Sequence, residues 1–241
     1  MAKGAYIGVG GVARKIKKGY IGVDGVARKI KKAYIGIGGV ARPCWSGGEL
    51  AYYGTITALS VARNGLAAGT IGDYALFGGG VATSGQVDTV DAYDKSLTRT
   101  TPAALSAVRN GLAAATIGNY ALFGGGQSYI NRVRTYYDTV DAYDKALTRT
   151  APEALSVGRA YCAAIAIGDY ALFGGGGTGF AGATGNDAVD AYDKSLTRTM
   201  PTGLSVARNN LAAATIGDYA LFGGGTATSG QVDTVDAYTV A

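Results

Sequence analysis

Ala75-Leu76-Phe77-Gly78-Gly79-Gly80 recurs unchanged from Ala121, Ala171 and Ala220, at steps of 46, 50 and 49 residues. A period of that size marks one supersecondary unit repeated in tandem. Outward from it, Val-Asp-Ala-Tyr follows each time, from Val90, Val140, Val189 and Val235. Leu-Ser-x-x-Arg precedes it each time, ending at Arg63, Arg109, Arg159 and Arg208. The first copy reads as four extended runs: residues 66–71, 74–77, 87–93, and the run from Leu97 into the next Leu-Ser-x-x-Arg. Gly72-Asp73 and Gly118-Asn119 supply tight turns between the first two runs, because these residue types tolerate positive φ. No stretch carries the 3.6-residue apolar period of a helix. The pattern predicts an all-β fold of small repeated sheets.

Forty of the 241 residues are Gly and four are Pro. With 48% hydrophobic residues this is not the composition of a disordered Gly/Pro chain, and there is no collagen period. There is no His, which removes His general bases, Ser–His and Cys–His pairs and His-ligated zinc or copper. Cys44 and Cys162, the two cysteines, form neither a zinc site nor a disulfide framework. The expectation is a non-enzymatic protein with no metal and no cofactor.

The formal charge of +5 divides unevenly. Residues 1–42 hold ten Lys and Arg and a single acid, Asp24, whereas the other 199 residues are net −4. The basic part has its own period of 14 residues, from Ala5, Gly19 and Ala33, centred on Gly10-Gly11, Asp24-Gly25 and Gly38-Gly39. Such dipeptides between β-forming residues signal two-residue hairpins. Long straight strands would set Lys17 against Lys32 and Lys18 against Lys31, an unfavourable pairing, so the chain is expected to bend at the Lys-Lys dipeptides. The predicted organisation is a basic hairpin module at 1–42, a linker at 43–48 and the larger repeats at 49–241. Lys15, Lys17, Lys18, Lys29, Lys31 and Lys32 are the candidate docking residues for an acidic partner. Without an RNA-binding motif, nucleic acid is not expected. Neither a secretory signal nor a membrane-spanning run is legible, so synthesis in the cytoplasm is expected.

At Gly78-Gly79-Gly80, Tyr93 and Arg109, and their counterparts in each copy, the sequence resembles the kelch repeat. The resemblance covers residues 50–241 and implies a small, four-bladed kelch-like β-propeller. Kelch units place a Trp seven residues after the Tyr, where this chain has Thr100, Thr150 and Thr199, so the blades are expected to pack with smaller side chains. The copper chemistry of some kelch-type propellers needs His ligands that are absent here. The first unit lacks an upstream Val-Asp-Ala-Tyr, and residues 49–60 match the segment that elsewhere follows one. That piece is expected to supply the outer strand of the last blade and close the ring; an open arc closed by oligomerisation, or a fifth blade from the basic module, are the alternatives. The segment Ala41-Arg42-Pro43-Cys44-Trp45-Ser46-Gly47-Gly48 after short basic repeats resembles prophage-encoded tail-appendage proteins. That similarity implies an anchor to other particle or tail proteins through 1–42, a distal domain that meets a host receptor or polysaccharide, and release by lysis as part of a phage or phage-like particle.

Function is sought where the copies differ. The stretch between the Gly triplet and Val-Asp-Ala-Tyr is nine residues in copies one and four, thirteen in copy two and twelve in copy three. Copy two carries Tyr129, Asn131, Arg132, Arg134, Tyr136 and Tyr137, and copy three carries Phe180 and Asn186. Tyr and Arg bind well at interfaces because they offer large amphipathic area and fixed donors. These eight are the candidate ligand-binding residues. The repeated arginines are expected to be structural, paired with carboxylates or carbonyls. Asp88, Asp91 and Asp94 fit no calcium loop, and Cys162, in the place of Leu66, Leu112 and Leu211, is expected in the core. The leading expectation is a particle-associated adhesin; the alternative is a cytoplasmic kelch scaffold for protein partners, its basic arm holding an acidic protein or nucleic acid.

Overall fold

The computed structural model describes residues 52–179 and 184–240 and the backbone of six strands between residues 6 and 46. The chain forms two compact units, residues 1–55 and 56–241. Among the described residues there is no helix, and therefore none long and apolar enough to cross a membrane.

The first unit contains three antiparallel hairpins. β1 (Tyr6–Val9) pairs with β2 (Val12–Lys15), β3 (Gly19–Val23) with β4 (Val26–Ile30), and β5 (Lys32–Ile37) with β6 (Val40–Ser46). Val9 opposes Val12, Val23 opposes Val26 and Ile37 opposes Val40, so two residues separate the strands each time. Those two are the Gly-Gly, Asp-Gly and Gly-Gly dipeptides of the sequence. Lys15 stands opposite Tyr6, Lys29 opposite Tyr20 and Lys32 opposite Ser46. Lys17, Lys18 and Lys31, with the bend expected there, lie outside the described residues. Residues 43–46, read as linker, continue β6: a register irregularity at Ala33/Tyr34 lets pairing run past Pro43 to Ser46. Pro is tolerated there because a two-stranded ribbon consists only of edges.

The second unit is a tandem of antiparallel sheets whose strand order follows the chain. The first sheet is β7 (Ala67–Ile71), β8 (Tyr74–Gly78), β11 (Val90–Tyr93) and β12 (Arg99–Thr100), with the small hairpin β9 (Val81–Ala82) and β10 (Gly85–Gln86) between its second and third strands. The second sheet is β13 (Ala113–Ile117), β14 (Tyr120–Gly124), β17 (Val140–Tyr143) and β18 (Arg149–Thr150), with hairpin β15 (Gln127–Ile130) and β16 (Val133–Tyr136). The third is β19 (Ala163–Ile167), β20 (Tyr170–Gly174), β23 (Val189–Asp193) and β24 (Arg198–Thr199), with β21 (Gly177–Thr178) and β22 (Thr184–Gly185). The fourth has β25 (Ala212–Ile216), β26 (Tyr219–Gly223) and β29 (Val235–Thr239), with β27 (Thr226–Ala227) and β28 (Gly230–Gln231).

Each Gly of the triplet answers a different steric demand. A Cβ on Gly78 would stand 3.0 Å from the ring of Phe123 in the next sheet. Gly79 and Gly80 have φ of 68° and 113°, and a Cβ on either would meet a carbonyl oxygen, of Arg109 at 2.6 Å or Asn64 at 2.7 Å. The triplet thus lets one sheet receive the next at backbone distance. Three apolar clusters follow, one between each consecutive pair of sheets. The first joins Ile71, Leu76 and Val90 to Phe123 and Tyr143; the second joins Ile117, Leu122 and Val140 to Cys162, Phe173 and Tyr192; the third joins Ile167, Leu172 and Val189 to Leu211 and Phe222. Within every sheet the Phe meets the Val-Asp-Ala-Tyr tyrosine edge-to-face, at centroid distances of 5.8–5.9 Å, the arrangement aromatic quadrupoles favour.

The expected closing strand is not found among the described residues. Among the described residues the fourth sheet has three strands, and residues 52–60 contain none. Residues 57–60 bind the first sheet as residues 103–106 bind the second: Tyr93 donates to the Thr57 carbonyl, and Ser60 N–H and Oγ donate to Asp91. Arg99, Arg149 and Arg198 tie the fourth strands to the Asp of their own sheets, and the residue at that place before the first repeat is Tyr53.

Candidate binding surface

The repeated charged residues turn inward. Arg109 meets Asp141 at 2.6 Å, Arg159 meets Asp190 at 2.7 Å, and Arg63 and Arg208 meet Asp91 and Asp236 at 2.8 Å. All four guanidinium side chains are buried. Each also donates to the carbonyl of the Phe before its Gly triplet. The serines of Leu-Ser-x-x-Arg donate to the same carboxylates. Buried charge is tolerated only when paired and hydrogen-bonded in this way. Burial draws the Arg109 pKa down against the pull of Asp141, while burial, then the neighbouring Asp, pushes Tyr143 and Tyr192 well above the usual phenol range and Tyr238 up to about 12. Asp94 accepts from the Ser96 and Thr98 N–H groups and so closes a turn. Burial raises the thiol pKa of Cys162 inside the second cluster. Among the described residues, no three Asp, Glu or Cys side chains gather as a metal site.

The hairpin β15–β16 is built differently. Tyr129 pairs with Arg134 and Ile130 with Val133, leaving Asn131-Arg132 at the tip with φ of 51° and 66°. Two successive positive φ values form the turn that matches strand twist. Asn accepts that conformation readily, whereas Arg is strained in it. Period-two alternation divides the hairpin into two faces. On one, the Arg134 guanidinium lies 5.3 Å from the Tyr129 ring centroid and donates to Gln127 Oε1 at 2.6 Å. Gln127 in turn donates to the Tyr161 hydroxyl. A chain of contacts therefore runs from the third repeat out to the exposed Tyr129. On the other face, Ile130 and Val133 are 48% and 63% exposed. At the base, Tyr137 shares a hydrogen bond with Ser128, and Tyr136 donates to the Gly179 carbonyl.

The eight candidates thus separate. Tyr129, Asn131, Arg132 and Arg134 form the projecting part, and Tyr136 and Tyr137 fix its base. Asn186 is used by the backbone: its Oδ1 accepts from Ala188 N–H and its carbonyl from Arg208 N–H. Phe180 lies outside the described residues. Two participants escaped sequence reasoning, Gln127 and Tyr161. Tyr161 occupies the left-handed position held by Gly65, Gly111 and Asn210 in the other copies. A tyrosine breaking that Gly/Asn series was the available signal. No family model matches the chain, and no curated protein matches it.

Proposed function

We propose that this protein is a non-catalytic binding protein: a kelch-like propeller-class scaffold that presents the β15–β16 hairpin to a host-surface receptor or glycan. The carrying observation is the contrast between repeated charges consumed in buried pairs and one copy-specific hairpin with Tyr129, Ile130, Arg132 and Val133 turned outward. The Tyr129 face offers stacking to sugar C–H groups, and Asn131 and Arg132 offer donors to hydroxyls or carboxylates. The exposed Ile130 and Val133 add apolar area of the kind that marks interaction sites. The basic hairpins, with Lys15, Lys29 and Lys32 on paired strands, act as the anchor to other proteins of a phage or phage-like particle. Two experiments test the reading. Glycan-array binding is expected to be lost when Tyr129 and Arg132 are both changed to Ala; unchanged binding overturns the hairpin assignment. Removal of residues 1–42 is expected to abolish recovery with purified particles; retention overturns the anchor.

A further inference from the structure

The chain makes one interface three times within itself and exposes both halves of it at the ends of the tandem. On the receiving side, Gly78, Gly124 and Gly174 lie under the rings of Phe123, Phe173 and Phe222, at 3.0, 2.8 and 2.8 Å from a built Cβ. At Gly223 the only such neighbour among the described residues is Val235 of its own sheet, at 3.5 Å. Gly79 and Gly175 each touch two leucines of the next repeat, and Gly125 touches Leu155 and Cys162, whereas among the described residues Gly224 meets only the Val232 carbonyl. Gly72 and Gly118 carry the stems of Lys145 and Lys194, and Gly217 has no such neighbour among the described residues.

On the inserting side, the counterparts left over are Phe77, Leu59, Leu66 and Lys95. Phe77, Leu59 and Leu66 are half-buried, while Phe123, Phe173 and Phe222 are fully buried. The backbone repeats the message. Gly80, Gly126 and Gly176 N–H groups donate to the carbonyls of Arg109, Arg159 and Arg208, and Leu105, Leu155 and Leu204 N–H groups donate to Asp88, Asp138 and Asp187. Among the described residues, Gly225 with the Arg63 carbonyl, and Leu59 with the Asp233 carbonyl, make no such bond. The face of the fourth sheet is correspondingly open, with Ile216 68% and Val235 59% exposed, where Ile71, Val90 and Val140 are buried.

We infer that the fourth sheet of one chain receives the first sheet of a second copy, with Phe77 seated over Gly223 and Leu59 and Leu66 over Gly224. Such a contact is heterologous, so it yields a ring if the rotation closes and a filament if it does not. The inference is independent of what the hairpin binds. Light scattering of the full chain behind a sizing column tests it, alongside Val235→Glu and Ala214→Glu, two substitutions at exposed positions of the open face. The expected mass is a multiple, at least twofold, of the 24.3 kDa chain, falling to one chain in both variants with an unchanged circular dichroism spectrum. A wild-type mass of one chain at every concentration overturns the inference and leaves closure within one chain as the reading. An assembly that persists in both variants also overturns it, by placing the contact elsewhere.

Discussion

Phe123, Phe173 and Phe222 sit on the same Gly of the preceding sheet, each beside a buried Arg paired with an Asp. The hairpins that interrupt those sheets share no such sameness: β9–β10 and β27–β28 turn through Thr83-Ser84 and Thr228-Ser229, while β15–β16 is twice as long and turns through Asn131-Arg132. Where neighbouring repeats must pack, each copy is constrained by the one before it and the one after. Where a loop leaves the sheet, that constraint is lifted, and a copy can carry a surface of its own. The fourth sheet extends the contrast, because it has the packing face without an internal partner.

The largest expected effect comes from the buried charges. Asp190→Ala strands the buried Arg159 and takes one of two carboxylate partners from Arg198, which keeps Glu153, and is expected to cost about 3–5 kcal/mol in chemical denaturation. Asp236→Ala, with one Arg and partial solvent access, is expected to cost about 1–3 kcal/mol. Equal losses would break the distinction between inner and end sheets. Next come the glycines. Gly124→Ala forces a methyl against the Phe173 ring and is expected to cost about 1–3 kcal/mol. In the Val235→Glu background, Gly223→Ala meets no ring and is expected to stay within about 0.5 kcal/mol.

The tyrosines give a pH test of the same comparison. Each has a folded-state pKa raised above its unfolded value, so the folded form holds more protons and stability falls as pH rises from about 10. Burial holds Tyr143 and Tyr192 higher than Tyr238, at about 12. Absorbance titration with Tyr238→Phe is therefore expected to remove the earliest of these three ionisations; removal of the latest would contradict the burial order. At the hairpin tip the expected effect is small and of opposite sign. Arg132→Gly relieves a left-handed Arg and is expected to raise stability by up to about 1 kcal/mol while weakening binding. A stabilised variant with full binding would show that Arg132 is not kept for recognition.

Much of this was legible in the sequence. The runs at 66–71, 74–77 and 87–93 correspond to β7, β8 and β11, because turn dipeptides and the Gly triplet punctuate them locally. The candidate residues of copy two stood out by the same logic, as departures from a repeat. What escaped depends on contacts between repeats. Gln127 looks like an ordinary loop residue until Tyr161, 34 positions on, is beside it. Asn186 looks like an insertion until its backbone is seen bridging to Arg208.

The central claim, that the copy-two hairpin carries recognition and the repeated sheets only hold it, has a direct test. Residues 127–139 are replaced by the nine-residue connection of copy one, residues 81–89, and binding to the glycan array is measured beside the thermal unfolding midpoint. The account predicts loss of binding with the all-β circular dichroism spectrum and cooperative unfolding retained. Retained binding in the grafted protein would contradict it.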